Sequence, residues 1–194
     1  MAKVYFALYL FLKTLPDFER FGGVYTFICE LRAKVLSKVG ANKKIGQGVL
    51  IHRGFDCSMR MDLEIGNKVK IYPNVTAHGK SLKIGQRSVI FSNCYLDCTS
   101  SLEIGSEVCI GKYCEVYSHV HHYDKKETPI FDSPESDAPS IIEDSVLLYN
   151  NAKIMPGVTV AKGSIVGNSS IVYKDTVGYG VYIGNPARKV DERK

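Results

Sequence analysis

The chain has 194 residues, of which 45% are hydrophobic and 23% are charged, and its formal net charge is +5. This length suggests one domain, and the balance of residues is that of a water-soluble protein with enough apolar material for a core. So small a positive charge suits a polyanionic cofactor or an acidic membrane surface, but it does not indicate a nucleic-acid partner.

The first 39 residues contain no repeat and are predicted to form two helices, over Val4–Leu15 and roughly Val24–Val39. Pro16 and the pair Gly22-Gly23 separate them as helix breakers. We interpret residues 1–40 as a helical cap over the repeat region that follows, because the end of a repeat array needs a cover.

An alternative interpretation is that residues 1–15 also contact a membrane surface, since Phe6, Leu10, Phe11 and their neighbours are apolar on nearly every face of the helix. The apolar run Val4–Leu12 is about half the length that a membrane-spanning helix needs. It is followed by no small-residue cleavage site, so no secretory signal is apparent.

A repeat of six residues begins at Ile45 and is most regular near the end of the chain. There an aliphatic residue returns at every sixth position: Ile142, Leu148, Ile154, Val160, Val166 and Val172. A period of six matches neither an α-helix nor an alternating strand. It matches a solenoid with three short strands per coil, in which each strand pairs with its equivalent one coil away. The sequence therefore predicts an all-β parallel solenoid over residues 41–190, followed by a short tail at 191–194.

The early coils are longer than three hexapeptides, because Ile-Gly pairs begin at residues 45, 65, 84 and 104. The segment 122–140 interrupts the repeat with prolines and acidic residues. A long loop inside a regular repeat is usually functional. The six cysteines show no metal-binding spacing. Cys94 and Cys114 fall on small, inward repeat positions, which favours reduced thiols and the cytoplasm.

Three histidines, His119, His121 and His122, lie where the long loop begins. Counting the hexapeptide from Val116 places Val120 inward, so His119 and His121 are predicted to lie on one outward face. Two histidines are fewer than the three or four ligands of a zinc site, and no metal is expected. The isolated His52 and His78 are interpreted as solvated surface residues.

The pattern of hexapeptides such as IGNKVK, IGQRSV and VGNSSI resembles the hexapeptide-repeat acyltransferase superfamily. Three further stretches resemble the maltose, galactoside and exopolysaccharide O-acetyltransferases within it: VYSHVHHYD before the loop, IMPGVTVAKGSIVGNSSIVYKD, and the ending GNPARKV. The resemblance covers roughly residues 45–190. It implies a left-handed β-helix, whereas the general rule for parallel crossovers would give a right-handed one. It also implies acetyl-CoA as donor and a homotrimer with active sites between subunits.

The resemblance also suggests roles for particular residues. The position of the catalytic histidine in the family motif corresponds to His121, with His119 and His122 as alternatives. Asn93 corresponds to a residue on the acceptor side, although an asparagine at a coil corner is an equally good interpretation. Asp124, Glu115 or a backbone carbonyl is expected to orient the histidine. Further residues are expected along the coenzyme A path, the last two at its 3′-phosphate: Ser169, Ser170, Lys174, Arg188 and Lys189.

The function predicted on this basis is acetyl transfer from acetyl-CoA to a sugar hydroxyl, in a bacterial surface polysaccharide or its precursor. A histidine base fits this chemistry because its ordinary pKa is near 6.5 and because a hydroxyl needs to lose its proton as it attacks. The expected location is the cytoplasm, and peripheral contact with the inner face of the membrane is an additional expectation. Three alternatives stay open: N-acetylation of an amino sugar or another amine, a zinc hydratase resembling γ-class carbonic anhydrases, and a scaffold without catalysis.

Overall fold

The computed structural model describes residues 2–16, 22–40 and 42–194. Helix α1 (Ala2–Thr14) and helix α2 (Gly22–Leu36) precede the repeat, as predicted. The predicted break at Gly22-Gly23 is wrong, since these glycines are the first two residues of α2. Glycine costs little at a helix start, where the first backbone N–H groups have no partner within the helix. Most of the segment between the helices, 17–21, lies outside the described residues.

The rest of the chain consists of short strands. In chain order they are β1 (Lys43–Ile45), β2 (Leu50–Ile51), β3 (Asp56–Cys57), β4 (Asp62–Ile65), β5 (Lys70–Ile71), β6 (Thr76–Gly79), β7 (Ser81–Ile84), β8 (Val89–Ile90), β9 (Tyr95–Cys98), β10 (Leu102–Ile104), β11 (Cys109–Ile110), β12 (Glu115–Val116), β13 (His119–His121), β14 (Glu135–Asp137), β15 (Ser140–Ile142), β16 (Leu147–Leu148), β17 (Lys153–Ile154), β18 (Thr159–Val160), β19 (Ile165–Val166), β20 (Ile171–Val172), β21 (Gly180–Gly184) and β22 (Ala187–Glu192).

These strands form the three sides of a parallel solenoid. Sheet 1 contains β1, β4, β7, β10, β15 and β18; sheet 2 contains β2, β5, β8, β11, β16, β19, β21 and β22; and sheet 3 contains β3, β6, β9, β12, β17 and β20. The fold is a left-handed β-helix of about 7 turns. The hand follows the resemblance and not the general crossover rule.

The hexapeptide repeat fixes which residues stack. Along sheet 1, equivalent residues pair from coil to coil and form one column: Ile45, Ile65, Ile84, Ile104, Ile142 and Val160. All of these are buried except Ile45, which is partly buried at the first coil. Cys94 and Cys114 are buried free thiols in the same core, as predicted, and the other four cysteines are free thiols as well.

The long excursion begins earlier than predicted. After β12 the chain leaves the solenoid, and β13 pairs with β14 in an antiparallel hairpin that no other sheet extends. The segment 122–134 joins the two strands, and Ser140 returns the chain to sheet 1. The predicted inward position of Val120 is therefore wrong, since it is half-buried and lies in the hairpin.

The two ends of the solenoid are covered differently. At the first coil, the cap helices bury Arg32, whose guanidinium donates hydrogen bonds to the carbonyls of Leu12, Leu15 and Ile51. At the last coil, β22 folds back antiparallel on β21, and the pairing continues as far as Glu192, beyond the predicted boundary at residue 190. Among the residues that the structure describes, no helix is both long and apolar enough to cross a lipid bilayer.

Candidate active site

Asp97 is a buried carboxylate at the base of the candidate site, where it binds His119. It follows Leu96 in β9, and its side chain is 1% exposed. One carboxylate oxygen accepts hydrogen bonds from the Thr99 amide at 2.9 Å and the Thr99 hydroxyl at 2.6 Å. The other oxygen accepts from the Ser118 amide at 2.9 Å and from His119 Nδ1 at 2.5 Å. Each carboxylate oxygen therefore has two partners.

These contacts keep Asp97 ionised. Burial by itself would raise the pKa of the carboxyl, but the hydrogen bonds from Thr99, Ser118 and His119 outweigh it, and the pKa is lowered. Several donors favour the charged form because they stabilise the carboxylate and not the protonated acid. Since an ionised carboxylate can only accept, the ring of His119 carries its proton on Nδ1 and presents Nε2 as the basic atom.

His121 lies beside His119 at the surface of the hairpin. The Nε2 atoms of the two rings are 3.1 Å apart, and the rings meet edge to face. The Nδ1 atom of His121 lies 3.2 Å from a carboxylate oxygen of Glu135, the residue directly opposite it in β14. The predicted shared face of His119 and His121 is confirmed. His119 is the more enclosed of the two, with 20% of its side chain exposed against 55% for His121.

The partners of the histidines differ from those expected. Asp124 is exposed in the segment that follows β13. Glu115 binds Lys153 at 2.7 Å and accepts a hydrogen bond from the Tyr117 hydroxyl. Neither therefore orients an imidazole in this chain; the orienting carboxylates are Asp97 and Glu135. His122 points to the other side of the hairpin, where its Nε2 lies 3.0 Å from the Ser136 hydroxyl.

Asn93 lies in the turn between β8 and β9, whereas Asp97 lies near the other end of β9. The backbone of Asn93 has a φ of 63°, a left-handed conformation that asparagine tolerates better than most residues. Its side-chain oxygen lies 3.3 Å from the side-chain nitrogen of Asn74, the equivalent corner residue one coil earlier. The structure therefore does not bring Asn93 to the imidazoles of the same chain.

The residues expected along the coenzyme A path are divided between two parts of the solenoid. Lys174 is exposed just after β20. Strand β20 stacks on β17 and β17 on β12, so Lys174 lies two coils beyond the corner that follows β12, where His119 begins the hairpin. Ser169 is exposed at the opposite corner. Ser170 is fully buried there, and its hydroxyl accepts a hydrogen bond from the Gly184 amide at 2.9 Å. A lining role for the side chain of Ser170 is therefore wrong.

Arg188 and Lys189 lie in the final strand, β22. Arg188 is exposed and donates a hydrogen bond to the carbonyl of Ala187 at 3.0 Å. Lys189 pairs with Glu192 at 2.9 Å. Both belong to the outer end of sheet 2, so a single chain does not place them beside His119.

The interpretation of His52 as a solvated residue is wrong. Its side chain is buried, stacks on Tyr72 with ring centroids 4.5 Å apart, and lies within hydrogen-bonding distance of the Tyr25 hydroxyl. His52 therefore links α2 to the first coils. His78 is exposed, as expected.

Asp97 is the residue that sequence reasoning missed, although its position contained a signal. The early coils repeat at intervals of 19 or 20 residues, and Leu96 pairs with Val116 in the structure. Applying the same interval to Asp97 places it beside residue 117, two residues before the first histidine. Glu135 has no such signal, because its position depends on the pairing of the hairpin.

The comparisons with known proteins agree with this fold. No protein-family profile matches the chain. A probable acetyltransferase of Mycobacterium tuberculosis is 27% identical over 152 residues, which are 77% of this chain and 50% of that protein. The chain spans about half the length of the curated relatives it matches first.

Two solved structures extend the comparison. The N-acyltransferase AntD from Bacillus cereus, in a complex with dTDP-4-amino-4,6-dideoxyglucose and coenzyme A, superposes with a TM-score of 0.70 at 24% identity, over 78% of this chain and 84% of that one. A maltose O-acetyltransferase from Clostridium difficile gives a TM-score of 0.64 at 18% identity, over 99% of this chain and 86% of that one. These two similarities show that the fold of this chain is shared with both proteins.

Proposed function

We propose that this protein transfers an acetyl group from acetyl-CoA to a hydroxyl group of a sugar, with His119 as the general base. The observation that supports this proposal is the hydrogen bond between His119 Nδ1 and the fully buried, ionised Asp97. It fixes the ring and directs its basic Nε2 away from the solenoid. His121, the residue that the motif indicates, lies within hydrogen-bonding distance of His119 Nε2. We assign it a contact with the acceptor sugar and not the role of base.

In the proposed reaction the acceptor hydroxyl attacks the thioester carbonyl while Nε2 of His119 takes its proton. The tetrahedral intermediate then collapses, its C–S bond breaks, and the imidazolium returns the proton to the coenzyme A thiolate. Asp97 stabilises the imidazolium without itself accepting a proton, because the pKa of this carboxyl is lowered by its four hydrogen bonds. A positioned base of this kind typically contributes a rate factor of about 10²–10⁴.

A homotrimer is part of this proposal. In one chain, Lys174 lies two coils from the corner after β12 where the histidines begin, which is about 10 Å at the usual spacing between strands. Ser169, Arg188 and Lys189 lie elsewhere on the solenoid. We assign the two groups to neighbouring subunits, so that Lys174 of one chain and Ser169, Arg188 and Lys189 of another contact the same donor.

The acceptor is proposed to be a bacterial surface polysaccharide or its precursor, modified in the cytoplasm next to the membrane. Support for membrane contact comes from Val4, Leu8 and Phe11, which lie on one stripe of α1 and are 71%, 41% and 62% exposed. An apolar helical stripe of this kind fits the interface of a lipid bilayer. Co-sedimentation with anionic phospholipid vesicles tests this part, and a Phe11→Ser variant that sediments as well as the wild type would contradict it.

The first experiment is calorimetric titration of the full chain with acetyl-CoA, because it requires no knowledge of the acceptor. We expect about one site per chain. No binding by folded protein would overturn the proposed function.

The second experiment is an acceptor screen that compares hydroxyl sugars with the matched amino sugars. Transfer to amines alone would instead support N-acylation, which the similarity to AntD makes the second candidate.

A further inference from the structure

The two imidazoles of the candidate site face each other through the same ring atom. His119 directs Nδ1 to Asp97, and His121 directs Nδ1 to Glu135. Asp97 accepts a hydrogen bond from His119 Nδ1, so His119 presents the lone pair of Nε2 to His121. The two Nε2 atoms are 3.1 Å apart. The carboxylate of Glu135 lies beside His121 at an ion-pair distance of 3.2 Å. Two histidine rings and one carboxylate therefore meet at one place on the surface of the hairpin.

The charges around the pair favour a cation of more than one positive charge. Asp97 and Glu135 contribute two carboxylates on either side of the imidazoles. The next carboxylate of the hairpin, Asp137, is paired with Lys80 at 3.2 Å and is thereby neutralised. A single proton shared by the rings compensates one of the two negative charges, whereas a divalent ion compensates both.

The donor atoms also have the right spacing. Ligand atoms of His119, His121 and Glu135 all lie within 4.8 Å of one another. Zinc–nitrogen bonds of about 2.0–2.1 Å in a tetrahedral site place two nitrogens roughly 3.3 Å apart, close to the observed separation of the Nε2 atoms. Two histidines and one glutamate, with a fourth position open, are also a ligand set that zinc uses in proteins. We propose that His119, His121 and Glu135 form a binding site for one divalent ion of the zinc class.

Asp97 supports this site from behind. A histidine that binds a metal commonly donates its other ring N–H to a carboxylate, which fixes the tautomer and the orientation of the ring. Asp97 makes this contact with His119 and is itself held by Thr99 and Ser118. Glu135 is half-exposed, so its carboxylate is free to leave His121 Nδ1 and turn toward the ion when the ion binds.

A bound ion changes what the site can do. It takes the lone pair of His119 Nε2, the atom that the proposed function uses as base. The metal-bound and the transferring states therefore exclude each other, and zinc is expected to inhibit acetyl transfer reversibly. This consequence depends on the proposed function, whereas the binding of the ion does not.

The test is titration of the metal-free full chain with Zn²⁺ by calorimetry and with Co²⁺ by visible absorption. We expect one ion per chain and the absorption bands of tetrahedral Co²⁺. The variants His121→Gln and Glu135→Gln, both at exposed positions, are expected to weaken binding at least tenfold and to lose the tetrahedral bands. Asp97→Asn is expected to weaken binding by about 10–100-fold, as loss of a supporting carboxylate typically does.

Two control variants separate this site from other donors. His122→Gln changes the neighbouring histidine on the other side of the hairpin, and Cys57→Ser removes a partly buried thiol; both are expected to retain the wild-type affinity. No stoichiometric binding by the wild type, or binding that survives in both His121→Gln and Glu135→Gln, would overturn the metal site. Stoichiometric zinc in a protein that does not bind acetyl-CoA would support the site and sink the proposed function.

Discussion

The coils after the hairpin bury their large side chains, whereas the hairpin exposes its own. From Ile142 to Val172 the repeat buries its large aliphatic residues, and Leu148, Ile154, Val160 and Val166 are each 0% exposed. From residue 121 to 137 every residue is exposed or half-buried, and Phe131, near the tip, is 99% exposed. Three of the four ionisable groups of the candidate site belong to the hairpin.

This difference shows how the fold separates stability from chemistry. The inward hexapeptide positions of the regular coils are buried, so a titratable residue at one of them would lose its hydration at high cost. The hairpin lies outside these coils and places imidazoles and a carboxylate at the surface. Asp97 joins the two regions, because it lies in a regular strand but binds the first residues of the hairpin.

The largest effect is expected at the base. Replacement His119→Gln removes the basic Nε2 while it keeps a polar side chain, and we expect kcat/KM for acetyl transfer to fall by about 10²–10⁴-fold. The matched replacement His122→Gln, three residues along, is expected to change kcat/KM less than twofold. Equal losses in the two variants would contradict the assignment, as would full activity in His119→Gln. The measurement is release of coenzyme A with the best acceptor from the screen.

The next effect sharpens the contrast in stability. Replacement Leu148→Ala leaves a cavity in the fully buried core, and we expect the free energy of unfolding to fall by about 2–5 kcal/mol. Phe131→Ala removes a larger side chain from the hairpin, yet it is expected to change the free energy of unfolding by less than about 0.5 kcal/mol. Urea unfolding followed by circular dichroism measures both. A large loss in Phe131→Ala would mean that the tip of the hairpin packs against another subunit.

A smaller effect on stability, coupled to activity, is expected at the junction. Asp97→Asn places a buried amide where a carboxylate accepts four hydrogen bonds, and the free energy of unfolding is expected to fall by about 1–3 kcal/mol. The variant also removes the acceptor that holds the His119 tautomer, so kcat/KM is expected to fall as well. If Asp97 acts through His119, the double variant with His119→Gln will be no less active than His119→Gln alone. Additive losses would indicate a separate role.

The smallest effect is a dependence of stability on pH. Asp97 and Glu115 both have pKa values below those of ordinary carboxyls, although burial by itself would raise them. Hydrogen bonds from Thr99, Ser118 and His119 lower the pKa of Asp97. Hydrogen bonds from Lys153 and Tyr117 lower the pKa of Glu115. Lowered values mean that the folded chain binds protons less readily than the unfolded chain. Their stabilisation is therefore complete above the ordinary carboxyl pKa near 4, and it is lost as the pH falls below that value and through the lowered pKa values of the folded chain. Urea unfolding at pH 7 and pH 3 tests this, and Asp97→Asn is expected to reduce the difference.

The fold was largely predictable, because the repeat itself determines it. In a coil of three short strands, an aliphatic residue at every sixth position points into the interior. The predicted aliphatic residues from Ile142 to Val172 lie in the core as expected. The N-terminal helices were predictable from their apolar pattern, but their contacts were not. His52 is buried because Tyr25 and Tyr72 cover it, and nothing in the residues around His52 indicates which helix packs there.

The candidate site was predictable in part. The histidine cluster and the long excursion that follows it pointed to the right place. The two carboxylates depend on distances that the local sequence does not contain: Asp97 is 22 residues from His119, and Glu135 meets His121 only through the register of the hairpin. Proximity along the chain indicates Asp124 and Glu115 as orienting acids, and neither of them contacts an imidazole in the structure.

The antiparallel turn at the end of the solenoid has a consequence for assembly. A parallel β-helix ends in open strand edges that are templates for another chain, and a protein with such edges tends to polymerise. Here β22 covers β21 on sheet 2, while on sheet 1 the side chains of Asp175 and Thr176 bind the amides of Thr159 and Ala161 next to the last strand. At the last coil these contacts satisfy the strand edges of sheets 1 and 2, so they disfavour the end-to-end addition of a second chain there.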